Sequence, residues 1–206
     1  MDIKWLGHAC FSLFTGKNTI VFDPYAPMGA YGELKATANK VLVSHGHFDH
    51  NYEAGVTLNP WVEDTGCEIS TVASYHDEQQ GALRGTNLIH IVSQNGFRVV
   101  HLGDLGHMLE GEALERIKGC DLLMIPVGGF FTIDAAVAAE LVKQAAPKCV
   151  IPMHYRFGEY GPEPISGVEP FLDLIKELYP VNHSDSNVLS DISALEKGVY
   201  VLKFAE

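Results

Sequence analysis

The order of apolar and polar residues predicts a chain built mainly of strands in its first half. DIKWLG, ACFSLFT and TIVFDP form strand-type patterns around the turn GKN, and CEISTVASYH (67–76) is a further predicted strand. KVLVS (40–44) is predicted as a short buried strand, and residues 24–38 as a loop. The clearest hairpin is NLIHIVSQNGFRVVHLGD, in which Asn95-Gly96 favours a type I′ turn.

Helices and strands alternate in the second half of the chain. MLEGEALERIK, TIDAAVAAELVKQAA and VEPFLDLIKELY are predicted helices, with Thr132 as the cap of the second. DLLMIPV, KCVIPMH and GVYVLKF are predicted strands, and the first two are apolar almost throughout. Such strands require cover on both faces of their sheet. We therefore predict an α/β chain with two mixed sheets packed face to face and helices outside, in a single domain over residues 1–206.

The composition and net charge limit which binding partners and which cellular compartment are expected. Among 206 residues, 47% are hydrophobic and 19% are charged, which is typical of a chain with a sizeable buried core. The formal net charge of −12 disfavours nucleic acid as a partner. No apolar run reaches the length of a membrane span, and no export signal is visible, so a cytoplasmic protein is expected. The four cysteines are then expected to be free buried thiols, and homo-oligomerisation stays open.

The densest chemistry lies in HGHFDH, which follows the strand KVLVS. His45, His47, Asp49 and His50 fall within six residues, and Gly46 permits the unusual backbone that convergence on one point requires. Imidazole and carboxylate groups together suit zinc, iron or manganese. One ion cannot use all four groups well, so further ligands are expected from elsewhere in the chain.

Three other residues stand at the ends of predicted strands. His76 follows STVASY, Asp104 follows RVVHLG, and His154 follows CVIPM. Because strand ends meet at a common edge of a sheet sandwich, we expect these side chains to join the histidine cluster. Asp77, beside His76, is an alternative ligand or a residue that supports one.

The ordered motifs carry a resemblance to a known family. H-x-H-x-D-H over His45–His50, preceded by Asp23 in IVFDP and followed by His76, Asp104 and His154, resembles the signature of the metallo-β-lactamase superfamily. GHACF, HLGDLGH, IPVGGFFTID and VIPMHY resemble its branch of small metal-dependent hydrolases similar to ascorbate-6-phosphate lactonase. This resemblance implies a four-layer αββα sandwich with a metal site at one edge of the sheets.

The resemblance also implies a division of ligands between two divalent cations, with zinc favoured and manganese or iron as alternatives. His45, His47 and His76 would hold the first ion, Asp49, His50 and His154 the second, and Asp104 both. The implied function is a hydrolase that activates water for attack on a small ester, lactone or phosphodiester, in which Asp49 orients the nucleophile. The alternatives are a diiron oxidoreductase, disfavoured because His47 stands where such proteins carry Glu, and a non-catalytic metal-binding protein.

Several other residues are candidates for roles beside the metal ligands. Asp23 is expected to accept a hydrogen bond from a ligand imidazole, and His8 to touch substrate or a ligand. His107 and Tyr155 are expected at the mouth of the site, where Tyr155 would donate to an oxygen of the transition state. Arg156 is the preferred cation for an anionic substrate group.

Overall fold

The computed structural model describes residues 1–205 and contains two large sheets, one small sheet and three α-helices. The strands are β1 (Asp2–Gly7), β2 (Cys10–Phe14), β3 (Thr19–Phe22), β4 (Ala36–Ala38), β5 (Lys40–Leu42), β6 (Val56–Leu58), β7 (Cys67–Tyr75), β8 (Thr86–Gln94), β9 (Phe97–His101), β10 (Leu122–Pro126), β11 (Cys149–Met153), β12 (Val181–His183), β13 (Val188–Leu189) and β14 (Gly198–Val201). The helices are α1 (Gly111–Ile117), α2 (Ala135–Ala145) and α3 (Glu169–Ile175).

The first large sheet has five strands in the order β13-β1-β2-β3-β5. Its strands pair antiparallel except for β3 and β5, which are parallel. Side chains alternate between its faces, as the two-residue period of a strand requires. Ile20 and Phe22 of β3 belong to the main core, whereas Val21 belongs to a smaller core with Tyr25 and Tyr31. The segment after β3 therefore covers the outer face of this sheet.

The second large sheet has seven strands in the order β12-β14-β11-β10-β9-β8-β7. Strands from β12 to β9 run parallel, and β8 and β7 complete the sheet in antiparallel orientation. β8 and β9 form the predicted hairpin, with Asn95 at φ 53° and Gly96 at φ 81°. Both residues thus have the positive φ that a type I′ turn requires, which confirms this prediction.

The main core lies between the two sheets and under the helices. All five residues of β10 are buried, as are Leu141 and Val142 of α2, and these helix residues pack in the same core as β10. Burying each such side chain contributes about 1.5–3 kcal/mol to folding. Because β10 is covered on both faces and α2 contacts α3, we place these helices on the outer face of the seven-stranded sheet. The predicted sandwich of two sheets is confirmed.

Three local predictions from the sequence differ from the structure. The cap of α2 is Asp134, not Thr132, because the Asp134 carboxylate accepts hydrogen bonds from the N–H groups of Ala136 and Val137. KVLVS is a half-exposed edge strand that ends at Leu42, because β3 is its only neighbour in the sheet. The predicted loop over 24–38 contains β4, which pairs with β6.

All four cysteines are free; Cys10, Cys120 and Cys149 are buried, and Cys67 is half-buried. Within residues 1–205 no helix has the length and apolar character needed to cross a bilayer.

Candidate metal centre

Four segments that leave strand ends bring the predicted ligands to one edge of the sandwich. His45 and its neighbours follow β5, His76 follows β7, Asp104 lies three residues beyond β9, and His154 follows β11. The backbone N–H of Leu88 in β8 donates to the carbonyl of Ser44 over 2.9 Å. This bond ties the segment after β5 to the seven-stranded sheet, so ligands from both sheets share one site.

The first group of candidate ligands consists of His45, His47 and His76. One ring nitrogen from each lies within 4.8 Å of the others. Nε2 of His45 is 3.1 Å from Nδ1 of His47, and the ring centroids of His45 and His76 are 4.7 Å apart. Three imidazoles so close together can place their lone pairs on one cation.

The second group consists of Asp49, His50 and His154, joined by His8. Donor atoms of these four side chains also lie within 4.8 Å of one another. Oδ2 of Asp49 is 3.7 Å from Nε2 of His50 and 3.5 Å from Nε2 of His8. The rings of His8 and His154 have centroids 4.1 Å apart. The structure thus places His8 beside the predicted ligands of the second ion.

Asp104 lies between the two groups. Its Oδ2 is 3.2 Å from Nε2 of both His50 and His154, and 3.3 Å from Nε2 of His76. Burial acts to raise the pKa of this carboxyl group, but His154 and His50 hold it well below its ordinary value. Asp104 is therefore an anion whose oxygen adjoins imidazoles of both groups.

Two glycines around Asp104 explain the stretch HLGDLGH. A Cβ on Gly106 would lie 2.2 Å from the backbone of His76, and one on Gly103, at φ 56°, would lie 2.5 Å from Cβ of Ser44. Only glycine has no atom at those positions. The segment that carries Asp104 can therefore lie against the segments that carry His76 and Ser44.

The cluster fits divalent cations by two observations. Nε2 of His50 and Oδ1 of Asp104 are buried and have no hydrogen-bond partner among residues 1–205. Burial lowers the pKa of His45 to about 3 and that of His8 to about 4, so both rings are neutral at pH 7 and offer the lone pair that a metal binds. Imidazole nitrogens around a buried carboxylate match the ligand preferences of zinc, iron and manganese.

Asp23 lies beside the cluster and accepts a hydrogen bond from one of its imidazoles. Its Oδ2 accepts hydrogen bonds from Nδ1 of His50 over 2.8 Å and from Oγ of Ser44 over 2.6 Å, and its Oδ1 accepts one from the Ser44 N–H over 2.7 Å. Burial acts to raise the pKa of Asp23, yet the His50 contact and the Ser44 bonds hold it at about 2. An ionised Asp23 keeps Nε2 of His50 free to face the centre.

Asp77, unlike its neighbour His76, binds the backbone of its own loop. Its two oxygens accept hydrogen bonds from the backbone N–H groups of Gln79, Gly81, Leu83 and Arg84, at 2.7 to 3.0 Å. The Asp77 carboxylate therefore makes its hydrogen bonds within its own loop, whereas the His76 ring lies among the other imidazoles. The geometry favours His76 over Asp77 as the ligand from this segment.

Three predicted residues lie outside the cavity that contains the cluster. The Tyr155 ring is buried in the core, with its centroid 5.7 Å from that of Trp5. His107 accepts a hydrogen bond from the Tyr75 N–H and donates one to the carbonyl of Met108. Arg156 is exposed, and its guanidinium donates to the carbonyl of Glu163 over 3.4 Å. Their proposed contacts with substrate gain no support from these positions.

A cavity of about 700 Å³ opens onto the cluster and contains residues that the sequence did not single out. The candidate ligands on its wall are His47, Asp49, His76, Asp104 and His154. Phe48, Phe131 and Arg84 also line it. The sequence carried a partial signal for Arg84, which follows the predicted ligand His76 by eight residues. Nothing in the sequence indicated that Phe131 would line the cavity.

A matched pair of variants separates the two neighbouring candidates. His76→Ala is expected to lower the metal content of the purified protein after dialysis, because it removes one of three clustered imidazoles. Asp77→Asn is expected to leave the metal content unchanged, since the carboxylate bonds only its own loop. Metal per chain, measured by elemental analysis, checks both. Retention of metal in His76→Ala together with its loss in Asp77→Asn would reverse the assignment.

Comparisons with known proteins agree with this geometry. Residues 2–154 match the family described as the Beta-lactamase superfamily domain. The chain is 30% identical over 188 residues to a UPF0173 metal-dependent hydrolase of Thermoplasma acidophilum, covering 75% of this chain and 83% of the relative. A UPF0173 metal-dependent hydrolase of Caldivirga maquilingensis is 30% identical over 213 residues, covering 86% of this chain and 91% of the relative.

A solved structure extends the similarity to the whole fold. A crystal structure from Thermotoga maritima, assigned to the Zn-dependent hydrolases of the metallo-β-lactamase superfamily, superposes with a TM-score of 0.79 at 32% identity and covers 99% of each chain. The ordered histidines and aspartates at the sheet edge therefore lie on a shared fold and in a related sequence. The chain belongs to the metallo-β-lactamase superfamily and, within it, to the UPF0173 metal-dependent hydrolases.

Proposed function

We propose that the protein is a dinuclear metal-dependent hydrolase that acts on a small ester, lactone or phosphodiester. The observation that carries the proposal is the position of Asp104, whose Oδ2 adjoins imidazoles of two separate donor groups at 3.2 to 3.3 Å. One carboxylate shared by two groups of ligands is the arrangement that holds two cations a few ångströms apart. Zinc is the cation we assign, in line with the ligand set and with the Zn-dependent assignment of the Thermotoga maritima relative.

The residues divide the work as follows. His45, His47 and His76 would hold one cation, Asp49, His50 and His154 would hold the other, and Asp104 lies between the two groups of residues. When bound, the cations lower the pKa of a shared water and polarise the bond to be cleaved. Asp49, whose side chain is 23% exposed and lines the cavity, would accept a hydrogen bond from a water molecule at the centre and orient it toward the substrate. Asp23 fixes the orientation of the His50 ring.

The cavity supports a small substrate. Its volume of about 700 Å³ lies within the range of pockets that enclose small molecules. Aromatic and aliphatic side chains, among them Phe48, Phe131 and Met28, supply much of its wall. Such a wall provides apolar surface against which the body of a small substrate can pack.

A hydrolysis screen of metal-quantified protein tests the proposal. Protein loaded with zinc, and the same protein after chelation, would be assayed on lactones, phosphodiesters and thioesters. We expect turnover of one class that disappears on chelation and in His45→Ala, while the fold of that variant, followed by circular dichroism, is retained. Turnover that survives complete removal of metal, or near-normal turnover in His45→Ala, would refute the mechanism. So would failure of the zinc-loaded protein to hydrolyse any of the classes.

A further inference from the structure

We propose that Arg84, standing on the wall of the same cavity as the metal ligands, selects substrates that carry a negatively charged group. The inference rests on the proposed hydrolase function and names the substrate class: a small molecule with an anionic group, a carboxylate or a phosphate, apart from the bond that is cleaved. Four features of the molecule support it, namely a fixed loop, an aromatic ring beside the guanidinium, the charges of the cavity wall and the absence, among residues 1–205, of an ion pair to Arg84.

The loop that carries Arg84 is fixed to a metal ligand. Asp77 directly follows His76, is only 3% exposed, and accepts four backbone N–H groups of the loop. One of the four is the N–H of Arg84 itself, at 2.8 Å. Gly81, at φ 83°, lets the loop close on itself, because a Cβ there would lie 2.9 Å from the carbonyl oxygen of Gly85. The backbone of Arg84 is therefore held in a set position relative to His76.

The guanidinium of Arg84 rests on an aromatic ring from another part of the chain. Its central carbon lies 5.7 Å from the ring centroid of Phe131, which follows β10. A cation over an aromatic face is attracted to it without being neutralised. Both side chains are half-buried and both line the cavity. The contact therefore holds the charged head beside the cavity and leaves its hydrogen-bond donors free.

Arg84 differs in charge from the other residues that line the cavity. It is the one Lys or Arg among the described residues that line the cavity, whose other charged residues are Asp49, Asp104 and Glu159. The ion pairs found within residues 1–205 involve lysine or histidine, and none involves Arg84. An arginine held beside an empty volume without a carboxylate partner offers a planar fork for two oxygens of a ligand anion.

The other side chains of the cavity wall indicate that the uncharged part of such a substrate is apolar. Phe48, 65% exposed, and Phe131 present aromatic surface between the ligand cluster and solvent, and Met28 adds aliphatic surface. A short apolar chain or ring would contact these side chains while its anionic end reaches Arg84 and its reactive bond faces the metal ligands. Arg156, the cation that the sequence favoured, is exposed and does not line this cavity.

A pair of chromogenic esters isolates the contribution of charge. The probes are 4-nitrophenyl valerate and the mono-4-nitrophenyl ester of adipic acid, which differs by one terminal carboxylate. We expect the zinc-loaded protein to prefer the adipate ester, and Arg84→Gln to reduce that preference by about tenfold, as the loss of a charge-assisted hydrogen bond implies. Arg84→Lys should restore part of the preference, since it keeps the charge. Arg116→Gln, on the exposed surface of α1 and outside this cavity, is the matched control and should leave both rates unchanged.

Binding of the free acids gives a readout that does not depend on turnover. Calorimetric titration with adipate and with valerate compares two ligands that share one carboxylate for the metals, while adipate brings a second. Adipate should bind the native protein about tenfold more tightly than valerate, and Arg84→Gln should remove most of that difference. If neither ester is hydrolysed, the ester form of the proposed function fails, and the titration alone decides the role of Arg84.

Three results would overturn the inference. Native protein with no preference for adipate over valerate, in rate or in binding, would show that no anion site exists. Equal losses on both probes in Arg84→Gln would show that the residue only supports the fold. An effect of Arg116→Gln equal to that of Arg84→Gln would show a general effect of surface charge.

Discussion

Replacing Asp104 by alanine is expected to remove most bound metal and to lower hydrolytic turnover by about a thousandfold or more. The reason is that a single oxygen of Asp104 adjoins His50, His76 and His154, so its loss affects both groups of ligands at once. Loss of a residue that served one group alone would spare the other ion. Elemental analysis for metal per chain, together with the hydrolysis assay, measures both effects.

Asp173→Ala is the control for this variant. Asp173 is exposed on α3, pairs with Lys176 over 2.7 Å and is not one of the candidate ligands. Its loss should change neither the metal content nor the turnover. Asp104→Asn, which keeps the volume of the side chain, guards against a cavity effect and should behave as the alanine variant does. Two equivalents of metal retained in Asp104→Ala would contradict the bridging role.

Replacing Asp23 by alanine is expected to destabilise the fold by about 3 kcal/mol and to weaken metal binding by about 10- to 100-fold. Asp23 is fully buried and ionised, and three hydrogen bonds from His50 and Ser44 end on it. Its removal leaves buried donors without an acceptor and frees the His50 ring to turn. Chemical denaturation measures the first effect, and competition with a chelator measures the second.

Asp185→Ala provides the comparison for Asp23. Asp185 is exposed, and its substitution should change the free energy of unfolding by less than about 0.5 kcal/mol. If Asp23→Ala lowered stability but left metal affinity equal to that of the native protein, then the orienting role of Asp23 would be wrong even though its structural role stood.

The sequence predicted that the candidate ligands would lie close together, because each follows a predicted strand. β9, β10 and β11 are parallel neighbours, so the residues that follow β9 and β11 must emerge at one edge of the sheet. Asp104 and His154 are brought together by that topology alone. Asp23, which follows β3, reaches His50 because β3 and β5 are also parallel neighbours.

The same reasoning failed where side-chain direction, and not strand order, decides the outcome. Tyr155 follows His154 directly, yet its ring lies in the core against Trp5. Both residues lie beyond the end of β11, and His154 has a left-handed backbone with φ 52°, which the apolar pattern does not predict. The sequence favoured Arg156 as the cation for an anionic substrate group because Arg156 lies two residues after His154. The turn that brings Arg84 to the cavity depends on four hydrogen bonds to Asp77, and no periodic pattern in the sequence encodes such a loop.

Anomalous diffraction from crystals of the zinc-loaded protein tests the central claim most directly. Two peaks are expected about 3.5–4 Å apart, one beside His45, His47 and His76 and the other beside Asp49, His50 and His154, with an oxygen of Asp104 between them. A single peak, or peaks that leave Asp104 uncoordinated, would contradict a shared two-metal centre.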